Sequence, residues 1–192
     1  MERPLSTAVQ LRHYGHADLP DIKQTLLEVH ADAYADRRHE EFVQRFPWFV
    51  DHWGGREGWA CVVAYEDGEP VGFTYGAPGE PGREWWREYL DEEPTDPSTF
   101  SVSELMLRPK WRKQGLGEQM HAALLAGRPE ALAVLTGDGV TGGGELEENL
   151  VVFGDGGAGV AGEVELEGAG ELGGVYGAVS YWHVSDQRRV RG

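Results

Sequence analysis

Apolar positions in the first 136 residues recur at two periods, one of strands and one of helices. Val9, Leu11 and His13 alternate along a short stretch that predicts a strand. Asp18 then stands as a helix N-cap with Pro20 in the first turn, and Leu19, Ile22, Leu26, Val29 and Ala33 share one helical face. A second helical pattern runs through Phe42, Phe46, Phe49, Val50 and Trp53; Pro47 interrupts it and Gly54-Gly55 closes it, which predicts a broken or bent helix. Trp59 to Tyr65 and Val71 to Tyr75 are β-rich runs joined by Glu66-Asp67-Gly68-Glu69, where Asp-Gly signals a hairpin, with Pro70 tolerable at the start of the second strand. After a Pro-, Glu- and Gly-rich connection (77–99) containing a helical patch from Arg83 to Leu90, Phe100 to Leu107 reads as a strand. Gly115 to Ala126 reads as a helix with Leu116, Met120, Ala123 and Leu124 on one face, and Ala131 to Leu135 as a last strand. The final strand, helix and strand form a crossover unit, which requires a parallel pair.

The pattern stops near Thr136, where composition changes. From Gly137 to Val179, 15 of 43 residues are Gly, nine are acidic and none is basic. So little apolar surface cannot offset much ordering entropy. The chain therefore divides into a patterned domain, residues 1–136, and a Gly/Glu-rich tail, 137–192. Three origins fit the tail: out-of-frame reading of a GC-rich gene, a divergent end in which Val164 to Glu167 and Val175 to Val184 make strands, or a disordered extension.

A formal net charge of −16 over 192 residues opposes association with nucleic acid or an anionic membrane. No apolar run reaches the ~20 residues of a membrane span, and Met1-Glu2-Arg3-Pro4 lacks the basic and apolar regions of a signal peptide, so a cytoplasmic protein is expected. One cysteine, Cys61, excludes an intrachain disulfide framework; it sits in a β-rich run and is read as a small buried hydrophobe. The seven histidines contain no H-E-x-x-H pair, so no metal site is expected, and His30 is read as a core-edge histidine. Trp48, Phe49, Trp53, Trp59, Trp85 and Trp86 are read first as core, with some available to line a pocket.

Against this acidic background Arg108, Lys110, Arg112 and Lys113 cluster just before Gly115-Leu116-Gly117 at the mouth of a helix. Such a helix start offers unbonded N–H groups and a partial positive charge, and glycine lets a diphosphate approach the backbone. A Walker A loop is excluded because Glu118-Gln119 follows Gly117 where Lys-Ser/Thr is required. A dinucleotide fingerprint fits poorly, because Met120 replaces its third Gly and seven residues separate the strand from the glycines, although Asp138 falls about where its acidic residue is expected.

The run Arg112-Lys-Gln-Gly-Leu-Gly117 resembles the Q/R-x-x-G-x-G/A acyl-coenzyme A signature of the GNAT N-acetyltransferase superfamily, and Glu104-Leu-Met-Leu-Arg-Pro-Lys-Trp111 is similar to that family's fourth strand and following loop. The resemblance covers about residues 8–136. It implies an α/β fold, a GNAT-like mixed central sheet with flanking helices, whose C-terminal half is here lost or replaced. It also implies acetyl-CoA as co-substrate and acetyl transfer to an amine of a small molecule or a protein. By the same resemblance Met106, Leu107 and Arg108 pair with the pantetheine arm, and Arg112, Lys113, Gln114, Gly115, Leu116, Gly117 and Glu118 wrap the diphosphate. A bulged fourth strand near Met106 then presents an N–H to the thioester carbonyl, and Glu104, two residues earlier on the same face, accepts the amine's proton.

Family members continue past the fifth strand into a helix that often carries a tyrosine acid for the leaving thiolate, and that pattern is absent after Thr136. Tyr176 and Tyr181 lie in no helical pattern, so no acid is assigned. The alternative function is accordingly a non-catalytic or defective coenzyme A-binding protein. The acidity of 1–136 favours a cationic acceptor.

Overall fold

A computed structural model describes residues 9–84, 87, 93–140 and 146–154; for 135–140 and 146–154 it describes the backbone alone. The alternating run near the start is strand β1 (Gln10–Gly15). Helix α1 (Leu19–Ala33) buries Ile22, Leu26, Val29, His30 and Ala33. The Asp18 carboxylate accepts the Gly15 N–H at 2.7 Å, so it closes the turn into α1 instead of capping the helix's own N–H groups. The next helical pattern is broken where Pro47 falls, into α2 (Glu41–Gln44) and α3 (Phe46–Gly54). Proline is tolerated only because it begins the new helix, where its missing N–H has no partner to lose.

Strands β2 (Ala60–Glu66) and β3 (Glu69–Pro78) form the expected hairpin. Asp67 and Gly68 both take positive φ, 52° and 84°, the turn geometry that follows the natural strand twist. Strand β4 (Thr99–Leu107), helix α4 (Leu116–Leu125) and strand β5 (Leu132–Val140) complete the crossover. Most of the helical patch expected at Arg83 to Leu90, with Trp85 and Trp86, lies outside the described residues.

The sheet order is β1-β2-β3-β4-β5-β6, with β4 and β5 parallel and the other neighbours antiparallel. Helices cover both faces. Against one, α1, α2 and α3 pack over Cys61, Val63, Phe73, Tyr75 and Met106; against the other, Leu116, Met120 and Leu124 of α4 pack over Val62, Val71, Phe100, Val102, Leu105 and Leu107.

Two expectations are corrected. The fifth strand does not stop at Leu135 but runs to Val140, and it pairs along nine positions with β6 (Leu146–Gly154), a strand lying inside the Gly-rich stretch. The alternation there is masked in sequence by the glycines of β5, and only the partner strand reveals it. The strands expected at 164–167 and 175–184 lie outside the described residues. Trp48, read as core, is 52% exposed, because α3 needs only its Phe46, Val50 and Gly54 side against the sheet. Trp59 is buried, as is Cys61, whose thiol burial pushes well above its ordinary pKa.

Candidate active site

The site is created by a mismatch inside the sheet. β4 and β5 pair only from Thr99/Leu132 to Val102/Leu135. Beyond that point β4 continues to Leu107 paired with β3, and β5 continues to Val140 paired with β6. The two parallel neighbours have therefore separated, and a gap lined by backbone opens between them.

The separation begins at a bulge. Opposite β3, Glu104 faces Tyr75 and Val102 faces Gly76, so Ser103 is the extra residue. The bulge was expected near Met106 and lies three positions earlier. Its effect on side chains is large, since one inserted residue exchanges the two faces of everything that follows. Val102 lies under α4, and without the bulge Glu104 would too; with it, Glu104 and Met106 share the α1–α3 face with their cross-strand partners Tyr75 and Phe73. Gly76 is needed opposite: a Cβ there would stand 2.3 Å from the Ser101 carbonyl oxygen. Glu104 is half-buried.

Backbone directions correct a second expectation. The Arg108 N–H donates to the Val71 carbonyl at 2.9 Å. Antiparallel bonding alternates residue by residue, so Met106, opposite Phe73, also directs its backbone at β3. Its N–H is turned away from the gap. Leu105 and Leu107 direct theirs toward it, and Leu105, which sequence reading passed over, is the first residue after the bulge to do so. The signal that places it is the register against β3, which no single-strand pattern contains.

At the end of β4 a short 3-10 turn (Pro109–Trp111) leads to α4. Lys113 and Gly115 both adopt left-handed backbone, φ 60° and 76°, and a Cβ on Gly115 would meet nothing within 4 Å. The first bond of α4 runs from the Gln119 N–H to the Gly115 carbonyl at 3.2 Å, so the N–H groups of Leu116, Gly117 and Glu118 precede the helical ladder. Alternating backbone of this kind turns successive N–H groups toward one concavity suited to an anion. Leu116 and Gly117 are buried, Glu118 is half-buried, and Lys113 and Gln114 are exposed; the Gln114 amide donates to the Lys110 carbonyl at 2.6 Å.

The two arginines do structural work. Arg112 donates from Nε to the Leu107 carbonyl at 3.2 Å and from Nη2 to the Ala33 carbonyl at 3.0 Å, joining the end of β4 to the C-terminus of α1. Arg108 reaches the Asp32 carboxylate of the same helix at 3.2 Å. The Arg112 guanidinium is thus engaged with two backbone carbonyls, while the Lys113 side chain of the same loop is exposed.

Residues 23–131, more than half of the chain, match the model of the acetyltransferase (GNAT) family. The chain belongs to the GNAT acetyltransferase family. Among curated GNAT relatives, a GCN5-like protein acetyltransferase of Mycobacterium tuberculosis is 29% identical over 158 residues, covering 62% of this chain and 75% of that protein. Two solved structures are similar at greater distance. An acyl-CoA N-acyltransferase from Pseudomonas aeruginosa is 17% identical, with 68% of this chain and 80% of that one covered and a TM-score of 0.47. An N-acetyltransferase from Thermoplasma acidophilum, in complex with coenzyme A, is 11% identical, with 77% and 99% covered and a TM-score of 0.45. The mixed sheet with helices on both faces is the GNAT fold. GNAT members carry a helix after the fifth strand; here residues 141–145 alone separate β5 from β6. Tyr176 and Tyr181 lie outside the described residues. Among the described residues no group of His, Cys, Asp and Glu could hold a metal, and no helix is long and apolar enough to cross a membrane.

Proposed function

We propose that the protein transfers an acetyl group from acetyl-CoA to a primary amine of a small molecule or a protein. The observation that carries this is the parting of β4 from β5 after Val102 and Leu135, directly beside the loop of unladdered N–H groups at the start of α4. The gap suits an extended chain that bonds to the Leu105 carbonyl and the Leu107 N–H, and the loop from Arg112 to Glu118 suits a diphosphate. Bound there, acetyl-CoA supplies an activated thioester.

The residues then divide the work. The Leu105 N–H donates to the thioester oxygen as negative charge develops on it. Glu104 takes the proton that the neutral amine loses as it attacks, directly or through water. The amine nitrogen forms its bond to the acetyl carbon, the carbon–sulfur bond breaks, and the thiolate leaves. In this reading the N-acyltransferase-like domain, expected over 1–136, extends through β5 and β6 to residue 154.

Titration calorimetry with acetyl-CoA tests the reading: binding is expected, and a folded sample that does not bind sinks it. Lys113→Glu should weaken binding about tenfold by placing a second negative charge beside the diphosphate. Glu104→Gln should leave binding intact and lower kcat by ~10²–10⁴-fold. A second reading rests on the missing helix between β5 and β6: a coenzyme A-binding protein without turnover. Thiol release with a panel of amines separates the two, since binding without release supports the second.

A further inference from the structure

We infer that Thr74 is a positioning residue for acyl transfer, holding one peptide plane of β4 so that its two ends serve the reaction. This rests on the reading of the site just given. Thr74 is fully buried in the middle of β3, where a hydroxyl has to find a partner, and its Oγ1 donates to the Glu104 carbonyl oxygen at 2.8 Å. That carbonyl belongs to the Glu104–Leu105 peptide immediately after the bulge. In a trans peptide the C=O and the following N–H are coplanar and point in opposite directions. Holding the Glu104 oxygen toward β3 therefore aims the Leu105 N–H away from β3, into the gap left by β5.

A bulge is where such control is needed. The ladder is interrupted at Ser103 and β5 has already departed, so this peptide keeps a strand neighbour on the β3 side alone. The same plane carries the Glu104 Cα, so the hydroxyl also steadies the direction in which the carboxylate leaves the strand. Valine, almost equal in shape, would fill the space and satisfy strand propensity equally well, yet would supply no donor.

The test compares Thr74→Val with Thr74→Ser by three readouts: the Leu105 amide signal in nitrogen-15 spectra, the affinity for coenzyme A, and steady-state kinetics. In Thr74→Val the Leu105 amide is expected to shift and its hydrogen exchange to quicken. Its kcat should fall about tenfold, less than the ~10²–10³-fold cost of deleting such a donor outright. Coenzyme A affinity and the acceptor KM should stay within about twofold, because the diphosphate loop and the α1–α3 face are untouched and free coenzyme A has no thioester oxygen for the Leu105 N–H. Thr74→Ser should restore both the amide signal and kcat. If Thr74→Val does not fold, Thr74→Cys carries the same comparison, its thiol being a weak donor of similar bulk. An unchanged Leu105 amide, an unchanged kcat, or losses shared equally by serine and valine overturn the inference. If no form binds coenzyme A, the proposed function falls, and the Leu105 amide alone decides the positioning.

Discussion

His30 shows how one residue can be read correctly in place and still carry an unexpected consequence. It lies on the buried side of α1, stacked on Phe46 with ring centroids 3.7 Å apart and planes 2° from parallel. Burial disfavours the imidazolium, and its pKa is pulled down to about 4. His121, buried in α4, is pulled down to about 4 for the same reason. Both are neutral in the folded protein across a range where the unfolded chain binds protons. Their stability contribution is therefore complete above the unfolded histidine pKa near 6.5 and is lost as pH falls toward 4. Urea unfolding at pH 7 and pH 4.8 should give a clearly lower unfolding free energy at the acid end, by a few kcal/mol on the order expected from two shifted histidines. His30→Phe combined with His121→Leu should flatten that slope.

Among the elements, the segment between β4 and α4 is held from outside itself. Arg112 spans the Leu107 and Ala33 carbonyls, and Arg108 reaches Asp32, so the proposed diphosphate loop is fastened to the C-terminus of α1. Helix C-terminal carbonyls lack intrahelical donors and carry partial negative charge, which makes a guanidinium a favourable partner for Ala33. Arg112→Ala should cost about 1–3 kcal/mol in denaturant unfolding. It should also weaken coenzyme A binding in calorimetry, since a loosened loop must be ordered at binding. Arg112→Lys should recover little of either, because one ammonium cannot reproduce a planar donor set directed at two carbonyls. Equal stability of Arg112→Ala and the parent protein would show that the bridge contributes nothing.

For the whole molecule the decisive feature is β6. Along Thr136 to Val140 the only strand beside β5 among the described residues is β6, and along Leu132 to Leu135 β6 gives β5 its second neighbour. Ending the chain at residue 140 would leave Thr136 to Val140 without a strand partner on either side, a row of unpaired backbone groups that is a template for pairing with other chains. A chain of residues 1–140 should therefore associate with concentration in light scattering, where the full-length protein at the same concentration should not. Identical scattering from both would mean that β5 needs no cover.

The sequence alone determined most elements, because each local signal had a local cause. Pro47 had to begin a helix, Asp67-Gly68 had to turn a hairpin, the 3.6-residue spacing of Ile22, Leu26, Val29 and Ala33 had to bury one face of α1, and Gly115 and Gly117 marked a strand-to-helix junction. Glu104 and Met106 were correctly placed on one face, since that follows from the period of a strand. Tertiary structure decided what depends on a partner. Which N–H of β4 faces the gap is set by its register against β3, and which face Glu104 joins is set by the extra residue at Ser103. That the Arg112 guanidinium bonds a helix end is set by the proximity of α1. That the glycine-rich stretch contains a strand at all is set by the backbone of β5, because a strand's hydrogen bonds are made with a neighbour and leave no mark on its own sequence.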